Sequence, residues 1–252
     1  MRMFAAALLI AGLVPSAAAA AAQPVQVAKA DPVRLDKARA LLALSHPSEL
    51  VLDANMRGWE AGIAKATAMA PGVDQLEAKY PGIVKAAIEA ARPAAREFCA
   101  AFAQRSIALM AGVVADRLTA AELDEALSFF RTPAGGKMVR AMLGNIDTKT
   151  MVNDMHARAQ AANGEPIVTV ENVNRATQAA IRTTFAQTPA EEQVAIMRFG
   201  VSPAGKKMFA AIAEADQQIL VLVNKPDPAW MAQQNETITR AMVEFVDRKK
   251  RI

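Results

Sequence analysis

Hydrophobic residues recur along this chain every three or four positions, almost from end to end. Leu52, Met56, Trp59 and Ile63 are spaced +4, +3 and +4 and lie on one helical face. Phe98, Phe102, Leu109 and Val113 make a second stripe. Leu123, Ala126, Leu127 and Phe130 make a third. Met208, Ile212, Ala215, Ile219 and Leu222 make a fourth, and Ile238, Ala241, Met242 and Phe245 a fifth. Alternation of period two is confined to Ile167-Val168-Thr169-Val170, which reads as an extended linker because one short strand has nothing to pair with.

Proline and glycine punctuate these stripes. Breaks are expected at His46-Pro47, Pro71-Gly72, Pro81-Gly82, Thr132-Pro133, Asn163-Gly164, Ser202-Pro203 and Pro226-Asp227-Pro228. Pro93 falls inside a helical pattern and is expected to kink or split it. The pattern predicts an all-α protein, an orthogonal or irregular bundle of about eight or nine helices. The expected organisation is a signal peptide over 1–22 and a lead-in over 23–32. Helical regions over 33–163 and 164–252 follow, packed as one domain.

Two stretches match at a constant offset of 70. Thr119-Ala-Ala-Glu122-Leu123 runs on to Phe129-Phe130-Arg-Thr132-Pro133-Ala-Gly135-Gly-Lys137-Met138. Pro189-Ala-Glu-Glu192-Gln193 runs on to Phe199-Gly200-Val-Ser202-Pro203-Ala-Gly205-Lys-Lys207-Met208. Each copy reads as helix, corner, helix. Thr119 with Glu122 makes a capping box, with Leu118 and Leu123 as its hydrophobic staple. Thr132 and Ser202 read as N-caps with Pro133 and Pro203 at the first helical position, and Thr188 as a cap before Pro189. Gly135 and Gly205 sit in a first helical turn, where glycine costs stability. Close backbone packing explains them more simply than an anion cradle completed by Lys137 or Lys207.

The pattern E-L-x(5)-F-F-x-[ST]-P-x-G-x-K resembles the core of a bacterial family of exported proteins, domain of unknown function 2059. The resemblance covers residues 84–146 and, more weakly, 170–216. The second copy departs at Gln193, where the family has an apolar residue, and at Gly200, where it has an aromatic. The resemblance implies a secreted, helical protein and no reaction.

The N-terminus agrees with export. Arg2 precedes an apolar run from Phe4 to Val14, Pro15 and Ser16 break it, and Ala20 and Ala22 suit cleavage after Ala22. Eleven apolar residues are too few to span a bilayer, which takes about twenty.

Composition narrows the function by exclusion. The formal net charge is +4 and aromatics are 5%. That is too little clustered charge and too few rings for nucleic acid. Cys99, the one cysteine, lies in an apolar helical stretch and reads as a buried small hydrophobe. His46 and His156 form no metal-ligand spacing and read as surface residues. Acidic residues at Glu122, Asp124, Glu125, Glu191 and Glu192 suit first helical turns without catalysis. No cofactor, metal or catalytic residue is indicated.

The expectation is therefore an exported helical protein of unknown biochemical activity that binds a ligand or protein partner in the periplasm. Its candidate groove comprises Phe129, Phe130, Pro133, Gly135, Lys137, Phe199, Pro203, Gly205 and Lys207. The alternatives are a cell-envelope hydrolase built from scattered carboxylates, and a membrane-peripheral module. The latter would make weak contact with anionic lipid through Arg248-Lys249-Lys250-Arg251.

Overall fold

A computed structural model describes residues 31–161, 167–225 and 227–251. The expected signal peptide and most of the lead-in lie outside the described residues. Eleven helices are present among them: α1 (Pro32–Ser45), α2 (Ser48–Met69), α3 (Val73–Lys79), α4 (Ile83–Arg117), α5 (Ala120–Phe130), α6 (Pro133–Gly144), α7 (Thr148–Ala161), α8 (Val170–Gln187), α9 (Ala190–Val201), α10 (Pro203–Val223) and α11 (Pro228–Lys250). No strand occurs among the described residues.

Eleven exceeds the eight or nine expected: beyond the expected breaks, the chain also leaves the helix between α6 and α7, over 145–147. Gly72 and Gly82 take left-handed backbone, φ 79° and 91°, which an L side chain resists. Gly72 stands before the seven-residue α3 as its N-cap, and Gly82 stands before α4 in the same way. Glu77 then caps α4 by accepting from the Gly82 and Val84 N–H groups at 2.7 and 3.1 Å. The almost zero-length corners at Thr132 and Ser202 likewise each separate two helices.

The 35-residue α4 is the axle of the molecule. Ile83, Ala87, Ala91, Ala95, Cys99 and Ala103 are buried at successive i+4 positions, a seam of mostly small residues along one face. Small side chains let neighbouring backbones come close. The first half of α4 joins α2 and α11 in one hydrophobic cluster containing Trp59, Ile63, Ile238 and Met242. The second half joins α1, α5, α6, α9 and α10 in another, containing Leu41, Leu42, Leu118, Leu123, Phe130 and Met208.

By length and composition α4 could cross a membrane, but half of its most apolar window is buried inside the fold. It runs through Pro93 without a break. Pro93 is exposed, so water can satisfy the carbonyl that its missing N–H leaves free, while Ala91 and Ala95 stay buried on the packed face.

α7 packs on α2, and α8 packs on α6 and α7. Exposed ion pairs Arg158–Glu171 and Arg175–Asp154 tie α7 to α8. The expected extended linker is shorter than read, because Thr169 caps α8 and Val170 is already helical. Its remainder is pinned to the end of α10. The Val168 N–H donates to Asn224 Oδ1 at 3.2 Å, and Asn224 Nδ2 donates to the Val168 carbonyl at 2.9 Å.

Two readings of single residues are corrected here. His156 is buried, not at the surface, on the same α7 face as Val152, Met155 and Ala159. Burial, aided by Lys65, lowers its pKa. His46 is half-buried, and burial pushes its pKa down to about 4. Cys99 is buried as expected, its thiol raised to about 11 by desolvation.

Candidate functional site

The motif residues build two tight corners. Thr119 and Glu122 form the capping box of α5, with Glu122 Oε2 accepting from the Thr119 N–H at 2.8 Å. Both staple residues, Leu118 and Leu123, are fully buried. At the first corner the Thr132 hydroxyl donates to the Phe129 carbonyl at 2.7 Å and accepts from the Gly135 N–H at 3.1 Å. Ser202 accepts from the Gly205 N–H at the same 3.1 Å. In each corner the last turn of one helix lies directly on the first turn of the next. A Cβ on Gly135 would sit 2.5 Å from the Phe129 carbonyl oxygen and 2.8 Å from Phe130 Cα. A Cβ on Gly205 would collide with the Phe199 carbonyl oxygen. These glycines permit backbone-on-backbone contact. Their N–H groups are also taken by the caps, which leaves neither free for an anion.

The two corners face each other reciprocally. Lys137 of the first pairs with Glu192 of the second at 2.5 Å, and Lys207 of the second pairs with Glu122 of the first at 2.6 Å. Lys207, followed by the Thr119 N–H, holds the Glu122 carboxyl down to about 2. Between the pairs, Phe129 stacks on Phe199 with centroids 4.3 Å apart and planes 6° apart, and Phe130 meets Phe199 edge-on at 5.6 Å. Helix packing is reciprocal too: α5 lies on α10 and α6 on α9, while α4 lies on α10 and α8 on α6. The space expected to be a groove beside Phe129 is thus filled by rings, with Phe130 and Phe199 buried.

An open cleft lies on the far side of the first corner, where the end of α1 faces the start of α6. Its volume is about 490 Å³. Leu44, Pro47, Phe130 and Val139 supply apolar walls, and Arg131 and Arg140 supply charge. The Arg140 guanidinium folds over Gly136, with a nitrogen 3.6 Å from where a Cβ would stand. Neither arginine takes part in an ion pair among the described residues. The lining contains no carboxylate, histidine or cysteine. Of the nine residues read as a candidate groove, Phe130 and Pro133 line this cleft. Gly135, Gly205, Phe129 and Phe199 pack the corners, and Lys137 and Lys207 join them. Pro203 starts α10. Arg131 and Arg140 were missed. The available signal was Arg140 at i+4 from Gly136, an unusual place for a long cation beside a bare Cα.

The second corner departs from the first in two ways. Gln193 stands where Leu123 stands in the first. Its Nε2 donates to the Phe185 and Thr188 carbonyls, both at 2.9 Å, so it satisfies the end of α8 instead of entering the core. Thr188 is accordingly not the N-cap expected from the sequence. It ends α8, its hydroxyl donating to the Thr184 carbonyl, and Pro189 precedes α9 without a side-chain cap. Gly200 stands where Phe130 stands, with open space around its Cα.

Fold and corners together define a class: an all-helical bundle organised around paired Thr/Ser-Pro corners, with no group of three or more potential metal ligands among the described residues. Residues 104–163 match the model of a family described as an uncharacterized protein conserved in bacteria, DUF2059. The match spans the second half of α4 through α7 and contains the whole first corner, so the resemblance read from the motif is shown on that stretch. No curated protein and no solved structure matches the chain.

Proposed function

We propose that this is an exported protein that acts by binding and not by turnover, and that its ligand is an amphipathic anion held in the cleft beside the first corner. The observation that carries this reading is the pairing of two arginines with apolar walls around one open volume. An acyl or aryl body would lie against Leu44, Phe130 and Val139, and a carboxylate or phosphate would meet the guanidinium forks. Acid–base chemistry has no partner in that lining.

Titrating the purified protein with decanoate by calorimetry tests the proposal. Saturable binding is expected, weakened tenfold or more in Arg131→Ala/Arg140→Ala, because a charge-assisted hydrogen bond is worth about 1.5–3 kcal/mol. Absence of binding, or binding indifferent to both arginines, overturns it. Export itself rests on the leader and the family resemblance. The mass of the chain recovered from the periplasm, starting at Gln23, tests it.

We also read α4–α6 and α8–α10 as internal repeats. The offset of 70, the shared corner chemistry, the reciprocal ion pairs and the reciprocal helix packing support that reading. A second reading of the partner concerns the exposed Arg248, Lys249 and Lys250 at the end of α11, which suit weak contact with anionic lipid.

A further inference from the structure

In the first repeat, α1 lies across α4, α5 and α6. Leu41 and Leu42 are buried there in one cluster with Leu127, Phe130 and Val139. The positions 70 residues on are Met197, Gly200 and Phe209, and no helix covers them. Met197 is 49% exposed and Phe209 44%, flanked by Val194 at 50% and Val201 at 66%. Val194, Met197 and Val201 follow i, i+3, i+7 spacing and form one stripe of α9. A molecule that covers this face once with an amphipathic helix leaves its counterpart bare.

We infer that the outer face of α9–α10 is a docking surface for an amphipathic helix with acidic flanks, supplied by a partner protein. This inference rests on reading the two halves as repeats. The shape of the occupant is given by α1. Its charge is given by the face. Arg198 lies between Val194 and Val201, and Lys206 lies one turn before Phe209. Both are exposed, and neither takes part in an ion pair among the described residues. Glu191 is the one acid beside them on α9's exposed side. At the α1 face Lys37 pairs with Asp124. The matching position here is Val194, so the partner needs an apolar residue where α1 has lysine. A second copy pairing through the same face would set two faces of like charge together, each carrying Arg198 and Lys206, which disfavours self-association.

The test uses the purified protein and a labelled peptide of residues 31–46 carrying Arg34→Glu, Lys37→Leu and Arg39→Glu, followed by fluorescence anisotropy and amide hydrogen exchange. Saturable binding is expected, with added protection over 193–210. Val201→Asp and Met197→Glu should each weaken it at least tenfold. Val243→Asp, on an equally exposed apolar residue of α11, should leave it unchanged. The unsubstituted, more basic peptide should bind at least fivefold more weakly.

No saturable binding, or binding untouched by both face variants in folded protein, overturns the inference. So does protection at 43–47 and 131–140 instead, and that outcome leaves the cleft intact as a site. A dimer dissolved by Val201→Asp assigns the face to a second copy, and loss of anionic-vesicle binding in that variant assigns it to lipid. Either overturns the helix partner. Failure of the cleft reading is separate, since it shows only in decanoate titration.

Discussion

Three glycines show how differently one residue type can be used. Gly135 and Gly205 face backbone atoms that cannot move aside, whereas Gly200 faces open space within a helix. Alanine at either corner position should therefore cost about 3 kcal/mol, the upper range for overpacking a rigid neighbour. Alanine at Gly200 should stabilise by about 0.5 kcal/mol, through a less flexible unfolded chain. Urea denaturation of the three variants checks the contrast, and a neutral Gly135→Ala would remove the packing account. The corner glycines were legible in the sequence because a first-turn glycine after Thr/Ser-Pro needs an offsetting contact. His156 was misread although Val152, Met155 and Ala159 share its face. The helical position of this imidazole, not its polarity, sets its burial.

At the scale of elements, helix type and most breaks followed from the spacing of apolar residues and from Pro-Gly and Ser/Thr-Pro corners. The short α3 did not, because seven residues between two Pro-Gly pairs carry no periodicity of their own. The cleft was legible only in part. Phe130 and Pro133 belong to the motif, but Leu44 and Pro47 come from nearly ninety residues earlier and only packing of α1 brings them close. The reciprocal pairs were invisible for the same reason, since Lys137 and Glu192 are 55 residues apart. Reversing Lys137 alone should cost about 1 kcal/mol, and Lys137→Glu/Glu192→Lys should recover most of it. The same cycle at Lys207 and Glu122 should give a matching coupling energy. Coupling near zero at both would leave the corners held together by their aromatic rings alone.

Over the whole molecule, two half-buried groups oppose each other in their effect of pH on stability. Burial raises the Asp216 pKa to about 6. The folded state therefore holds its proton longer than the unfolded chain does. The stability this provides is complete below about pH 4 and is lost as pH rises to 6. Burial lowers the His46 pKa to about 4. The unfolded chain takes up that proton first, so stability present above about pH 6.5 is lost as pH falls to 4. Relative to the native protein, Asp216→Asn should gain stability progressively from pH 4 to 6, reaching on the order of 2 kcal/mol. His46→Gln should gain on the acid side instead. Thermal melts between pH 4 and 7 check both, and parallel curves for native and Asp216→Asn protein would show that this carboxyl is not desolvated.

The placement of α4 bears on how this protein tolerates damage. One face of its first half closes the cluster with α2 and α11, and its second half closes the cluster with α1 and α10. Loss of either cluster strips apolar surface from a rod that the other still needs to be helical. A lesion near Trp59 is thus expected to weaken the packing around Phe129 and Phe199 as well, without any contact between them, because both clusters lean on the same helix.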